Sequence, residues 1–287
     1  MKGTQKYRKG EIHSSASFMR WPGSFLAVVL AAVLILGCGL PFTWPSCAES
    51  EAAGTGILSN GGTGIQTQNQ AIHYSYISGY PDGEAKPLRR MTREEAAVIF
   101  FRLMPEESRN FFMAAAQNAA VPPFRDVDPV RWSAGEIAAL HHAKIVQGYE
   151  DGSFHPAKPV TRAEFAAMAA RFDKLDAAPG DRFPDIGGHW AENEIKAAAE
   201  KGWVRAYGDL TFRPENTVLR VEAMMWINDA QDRIVNAAGL NGHAKQWPDI
   251  EKDEWYYEIV MEAGNTHTYE RIADRKKSTE KWTSIVE

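Results

Sequence analysis

The stretch that decides the reading runs from Gly148 to Phe172, GYEDGSFHPAKPVTRAEFAAMAARF. Up to Thr161 it is rich in Gly, Asp and Pro, the residues of turns and extended backbone. From Arg162 onward apolar residues recur at helical spacing. Thr161-Arg162-Ala163-Glu164 joins the two parts as a capping box: the threonine hydroxyl takes an orphan N–H of the first helical turn, and the glutamate reaches back to the threonine amide. The stretch is therefore a turn delivered directly onto a helix start.

Working outward, the same pattern occurs as GYPDGEAKPLRRMTREEAAVIFFRL from Gly79 and as AYGDLTFRPENTVLRVEAMMWIND from Ala206. In every copy the loop aspartate (Asp82, Asp151, Asp209) stands 11 residues before the arginine (Arg93, Arg162, Arg220), and Pro87, Pro156 and Pro214 keep register. Thr92 repeats the capping box, whereas Leu219 supplies no hydroxyl, so the third helix is expected to begin less rigidly. A second half-pattern, an aromatic residue, an aspartate two residues on, then a tryptophan, appears as FRDVDPVRW from Phe124, FPDIGGHW from Phe183 and WPDIEKDEW from Trp247. Helical patterns such as SAGEIAALHHAKI and AENEIKAAAEKGW connect the halves. The first copy lacks a leading half and the segment from Trp247 to Ala263 is an unused one, which predicts a closed, roughly three-fold arrangement completed by the C-terminal segment.

The domain reading follows: 1–48 a signal peptide, 49–72 a flexible Gly/Ser/Thr/Gln-rich linker, 73–120, 121–180 and 181–243 the three repeats, and 244–287 a half-motif and tail. Lys2, Lys6, Arg8, Lys9 and Arg20 precede an uncharged run over 25–40, and Ser46 and Ala48 place small residues where cleavage after Ala48 would need them. Two other readings are a lipid anchor at Cys38 and an uncleaved membrane anchor over 21–48. Both cysteines, Cys38 and Cys47, lie in this segment, so the rest of the chain offers no disulfide, thiolate metal site or cysteine nucleophile.

The chain carries 32 basic and 37 acidic residues, a formal charge of −5, and the basic leader makes the remainder more acidic still. A nucleic-acid partner is excluded on this ground, and any anionic partner must be held by locally placed cations. The recurring arginine sits at the first helical position, where the helix dipole disfavours a cation. It therefore either pairs with a loop carboxylate (Asp82, Asp151 or Asp209) or joins free N–H groups in an anion site. Trp132, Trp190 and Trp255 read as core residues or as a sugar-stacking platform. Gly79, Gly83, Gly148 and Gly152 read as turn residues of positive φ. His141, His142, His189, His243 and His267 show no ligand spacing and read as surface residues, so neither a metal nor a cofactor is expected. No P-loop, nucleophile elbow or dinucleotide fingerprint is present, and no carboxylate pair stands out, so no catalytic residue is assigned.

The combination FRDV…W…I…GYEDGSFHPAKPVTRAEFAAMAARF resembles an S-layer homology (SLH) motif, and the likeness extends over roughly 76–263. The resemblance implies an all-α fold, a pseudo-three-fold helical bundle of three SLH motifs. It also implies a non-enzymatic module whose intermotif grooves bind secondary cell-wall polymer, often pyruvylated, or a peptidoglycan-linked glycan, at the surface of an exported protein. Carried onto this sequence, it points to Arg93, Arg162 and Arg220 as groove arginines, to Asp82 and Asp151 as acceptors of sugar hydroxyls or supports of the arginines, to Gly79 and Gly148 in the loops, and to Trp132 and Trp190 as the motif tryptophans. Ala85, where the other copies have Phe154 and Phe212, and the altered third copy imply that one or two grooves are structural. The linker or tail is a candidate for recruiting protein cargo; the alternatives are an SLH module without polymer affinity and, more remotely, an envelope hydrolase.

Overall fold

A computed structural model describes residues 71–180, 182–273 and 278–286. The stretch read as a signal peptide, with Cys38 and Cys47, and nearly all of the stretch read as a linker lie outside the described residues. The elements of the described residues are strand β1 (Ala71–His73), helices α1 (Arg93–Leu103), α2 (Glu106–Gln117), α3 (Ala134–His142), α4 (Arg162–Phe172), α5 (Glu192–Lys201), α6 (Arg220–Ala230) and α7 (Tyr257–Gly264), a short 3-10 turn (Ala237–Gly239) before α7, and strands β2 (His267–Ala273) and β3 (Ser278–Ile285). Among them no helix is long and apolar enough to cross a membrane.

The capping boxes start α1 and α4: Thr92 accepts from Glu95 N and Thr161 from Glu164 N, while each glutamate accepts the threonine amide at 2.8 and 2.9 Å. In α6 the glutamate half survives, with Leu219 N donating to Glu222 at 2.8 Å. These three helices are buried nearly all round, which their small and apolar residues permit. The helix of each leading half packs on the trailing helix before it: α3 on α1, α5 on α4, α7 on α6. The additional helix α2, launched after Pro105, covers α3.

The chain segments entering α1, α4 and α6 meet at the centre in a cycle of backbone hydrogen bonds. Met91 N donates to Val218 O at 2.9 Å, Val218 N to Val160 O at 3.1 Å, and Val160 N to Met91 O at 2.9 Å. All three side chains are fully buried. The leading halves then cap the loops. Asp126 accepts the amides of Phe154 and His155, Asp185 those of Phe212 and Arg213, and Asp249 those of Ala85 and Lys86, all at 2.6–2.9 Å.

The all-helical expectation is wrong. The C-terminal tail is a β-hairpin that carries β1 on its free edge, giving an antiparallel sheet in the order β1-β2-β3. On β3, Glu280 and Trp282 are buried while Lys281 is exposed, the period of two of a half-buried strand. An inward-facing glutamate disguises that period, because charge normally marks the outer face. β1 begins inside the stretch read as linker, at Ala71.

Candidate functional site

The three repeat arginines are buried and held by hydrogen bonds. Arg93, Arg162 and Arg220 are only 4%, 2% and 4% exposed. Each reaches across to the loop of another repeat and repeats one geometry. Arg93 Nε donates to Phe154 O at 2.8 Å and its Nη2 to Gln147 O at 3.2 Å; Arg220 does so to Ala85 O at 3.1 Å and Ser78 O at 3.3 Å; Arg162 bonds Phe212 O at 2.7 Å and Arg205 O. The arginine is thus satisfied by carbonyl oxygens, which is why a cation is tolerated at a helix start.

The helix N-terminus is not free to bind an anion either. Arg93 N and Glu94 N donate to Lys158 O and Pro156 O, and the amides opening α4 and α6 are taken in the same way by Asn216, Pro214, Arg89 and Pro87 carbonyls. Neither do the loop aspartates serve the arginines. Asp82, Asp151 and Asp209 accept from the amide two residues on and from the nearby cations Lys86, Arg125 and Arg213, closing their own exposed turns. Hydrogen bonds donated by Ser153 Oγ and N and by Arg125 hold Asp151 down at about 2. The carboxylate that faces Arg93 is Glu164 of the neighbouring capping box, at 3.1 Å. Burial opposes its charge, but Arg93, the Thr161 amide and Tyr149 outweigh that and hold it below its ordinary range.

The glycines divide by cause. Gly83 and Gly152 have φ of 84° and 77°, and Leu210 accepts φ 67° in the same turn. Gly79 and Gly148 lack positive φ, contrary to the sequence reading; there a Cβ would sit 2.4 Å from the Trp247 ring and 2.6 Å from the Phe124 ring. The three motif tryptophans are not core: Trp132, Trp190 and Trp255 are 58%, 60% and 54% exposed. His267, read as a surface residue, is fully buried.

Two cavities repeat one lining. A groove of about 760 Å³ gathers Arg93, Gly148, Tyr149, Lys158, Arg171 and Trp190; one of about 440 Å³ gathers Arg220, Gly79, Tyr80, Arg89, Arg102 and Trp132. The two sets match position by position when the repeats are aligned. Asp151 borders the larger groove. Lys158 Nζ donates to Tyr149 OH at 3.0 Å, and Arg102 to Ser78 Oγ at 2.6 Å, so both reach the groove without a carboxylate partner within 4 Å among the described residues. Tyr149 stacks against the Arg93 guanidinium at 4.8 Å, and Tyr80 against that of Arg220 at the same distance. The arrangement offers an aromatic wall, a hydroxyl, one cation with no carboxylate within 4 Å and a second that is shared with one, Arg171 with Glu194 at 3.4 Å and Arg89 with Glu95 at 2.8 Å, which suits a carbohydrate bearing negative charge.

The third setting differs. Arg162 lies over Tyr207 as expected, at 4.5 Å. By register, though, Asn216 stands for Lys158 and Arg89, and Asp229 for Arg171 and Arg102. Arg205 reaches across to Asp229 at 2.7 Å. A carboxylate and an amide have replaced two cations, and Arg213 lies over the Tyr207 ring at 4.3 Å, so this setting does not repeat the lining of the other two.

The groove tyrosines and second cations escape a reading that follows only the arginine, although the fixed spacing of the three copies carries them.

Comparison with known proteins supports two of the three repeats. Residues 123–166 and 182–224 match the S-layer homology domain model, so the chain carries two SLH motifs there. It is 34% identical over 227 residues, 75% of this chain and 9% of the other, to cell surface glycoprotein 1 of Acetivibrio thermocellus. It is 33% identical over 219 residues to the cellulosome-anchoring protein of the same organism, covering 74% of this chain and 45% of that one. An S-layer protein of Bacillus licheniformis is 30% identical over 163 residues, 55% of this chain and 18% of its own length. The chain spans less than half the length of each of these curated relatives. The similarity extends to proteins named as a cell wall amidase and an endoglucanase.

Proposed function

We propose that this chain is a non-catalytic surface-anchoring module that holds a secondary cell-wall polymer, its charged sugar a pyruvylated or similarly anionic one, in the two matched grooves. The repeat from Gly79 counts, in this reading, as a third SLH motif whose leading half is the segment from Trp247. The observation that carries the reading is the correspondence of the two grooves: at each, an exposed tryptophan, a tyrosine and two cations are delivered by different repeats to the same relative places. A folded core has no use for an indole left more than half exposed, whereas a sugar ring does. Specificity then comes from local pairing, since the acidic chain repels polyanions at large.

Because Arg93 and Arg162 are structural staples, their removal alone cannot test binding. The decisive experiment is sedimentation of the full chain with purified wall sacculi, before and after acid extraction of secondary polymer, beside Lys158→Ala/Arg171→Ala and Trp190→Ala. Retention that falls with extraction and with these exposed-site variants supports the polymer anchor. Retention by stripped sacculi directs the reading to peptidoglycan, and no retention by either supports an interaction module without polymer affinity.

A further inference from the structure

Beneath the sheet, four side chains from four elements converge: His73 of β1, Glu262 of α7, His267 of β2 and Glu280 of β3 each place one ligand-type atom within 4.8 Å of the others. Glu262, His267 and Glu280 are at most 1% exposed. His73 Nδ1 lies 3.2 Å from Glu262 Oε1 and 3.3 Å from Glu280 Oε2, and His267 Nε2 lies 3.4 Å from Glu262 Oε2. A tetrahedral centre with bonds of about 2.0–2.1 Å sets adjacent ligand atoms about 3.3–3.4 Å apart. Three contacts lie at about that edge length, two of them through different oxygens of Glu262, and the four ligand atoms as a set lie within 4.8 Å, close enough for a small rotation of the side chains to bring them around one ion.

The hydrogen bonding makes the same point independently. His267 Nδ1 faces the carbonyl of Asn265 at 2.9 Å, which places the ring proton on Nδ1 and a lone pair on Nε2. That Nε2 and both oxygens of Glu280 are buried with no hydrogen-bond donor. Acceptors crowded together away from water are costly unless a positive charge balances them. Arg271 approaches Glu280 Oε1 only to 3.4 Å, and Arg233 Nε donates to Glu262 Oε1 at 3.0 Å. The two guanidiniums and His73, whose Nδ1 hydrogen-bonds Glu262 Oε1 at 3.2 Å, flank the carboxylates, yet none of them makes a hydrogen bond to Glu280 or to His267 Nε2. Trp282 Nε1 donates to Glu262 Oε2 at 3.1 Å and the Glu280 amide to Ile234 O at 2.7 Å, so the ligands are held in place by a second ring of contacts.

We propose that His73, Glu262, His267 and Glu280 form a structural metal site for a divalent transition ion, zinc being the ion that best suits two imidazoles and two carboxylates in a closed tetrahedron. All four ligands come from the protein and the site is buried, which is the pattern of structural rather than catalytic zinc. Bound there, the ion fastens the N-terminal strand and the C-terminal hairpin to α7.

The test uses the full chain purified without chelator, equilibrated with excess zinc and desalted. One zinc per chain by elemental analysis, a melting temperature lowered by chelation and restored by zinc, and the intense visible absorption of four-coordinate cobalt on substitution are expected. Glu280→Gln, nearly isosteric and so able to fold, should lose the bound zinc and the zinc-dependent part of the melting temperature, as should His73→Ala. Substoichiometric zinc in folded wild-type chain with a melting temperature indifferent to chelator and zinc would overturn the proposal. So would stoichiometric zinc that survives both substitutions, since the ion would then be held elsewhere.

Discussion

Asp249 accepts the backbone N–H of Ala85 at 2.9 Å across 164 residues of chain, and takes that of Lys86 with its other oxygen. The bond repeats what Asp126 and Asp185 do for the loops of their own repeats, about 28 residues away. Replacing Asp249 by alanine leaves two amides without their charged acceptor, a loss of about 2–3 kcal/mol. Asn keeps one acceptor and should recover roughly half of it. Urea denaturation measures the size, and hydrogen exchange should show the loss concentrated over 79–91.

Arg93→Ala removes the guanidinium facing the buried Glu164 and strips the carbonyls of Phe154 and Gln147 of their donor. Breaking a buried pair from one side costs about 3–5 kcal/mol. Lysine should not rescue it, because an ammonium cannot span two divergent carbonyls and stack on Tyr149. A melting temperature for Arg93→Lys close to wild type would sink this account.

Groove variants should separate binding from folding. Trp190→Ala and Lys158→Ala/Arg171→Ala are expected to reduce retention on sacculi by about tenfold, roughly 1.4 kcal/mol, with an unchanged melting temperature. Trp255→Ala, by register at the altered third setting, should leave retention as it was.

Acid should loosen the capping network. Burial works against the charge of Glu95 and Glu164, yet Tyr80 and the Thr92 amide around the first, and Arg93 and the Thr161 amide around the second, hold both below the ordinary 4.5. Carboxyls depressed by folding give stabilisation that is complete above the unfolded value and is lost as pH falls through the folded one. Melting temperature should therefore be flat on the neutral side of 4.5 and fall below it. Glu164→Gln should be less stable at neutral pH and show a shallower acid decline.

Leu210 sits at φ 67°, 69% exposed, where the equivalent turns carry Gly83 and Gly152. A left-handed conformation costs a branched residue about 1–2 kcal/mol, part of which glycine returns as unfolded-chain entropy. Leu210→Gly should stabilise the protein by about 0.5–1 kcal/mol, read as a raised urea midpoint.

What the sequence makes legible is whatever is written locally. Thr92 and Thr161 announce their helices because the capping box needs residues only three apart. The matched places of Asp126, Asp185 and Asp249 are visible for a related reason, since repetition turns a long-range contact into a count. Side-chain partners are another matter. Nothing near Arg93 in sequence points to the carbonyls of Phe154 and Gln147, so the sequence leaves a loop carboxylate and an anion site as equal alternatives and offers neither of the partners found. Gly79 and Gly148 resemble turn glycines until the rings of Trp247 and Phe124 are seen lying against them. The hairpin hides because Glu280 faces inward, and His267 because its neighbours in space come from three other elements.

The cycle of Met91, Val160 and Val218 also fixes a number. In an open stack of repeats a further unit can be appended at either end, and the array simply grows. Here each segment both gives and receives one bond, so a fourth unit would find no vacancy at the centre without opening the circle. Growth by inserting single units into the ring is closed to this architecture as a route to change. Variation is left to the side chains of each setting, as the exchange of two cations for Asn216 and Asp229 already displays.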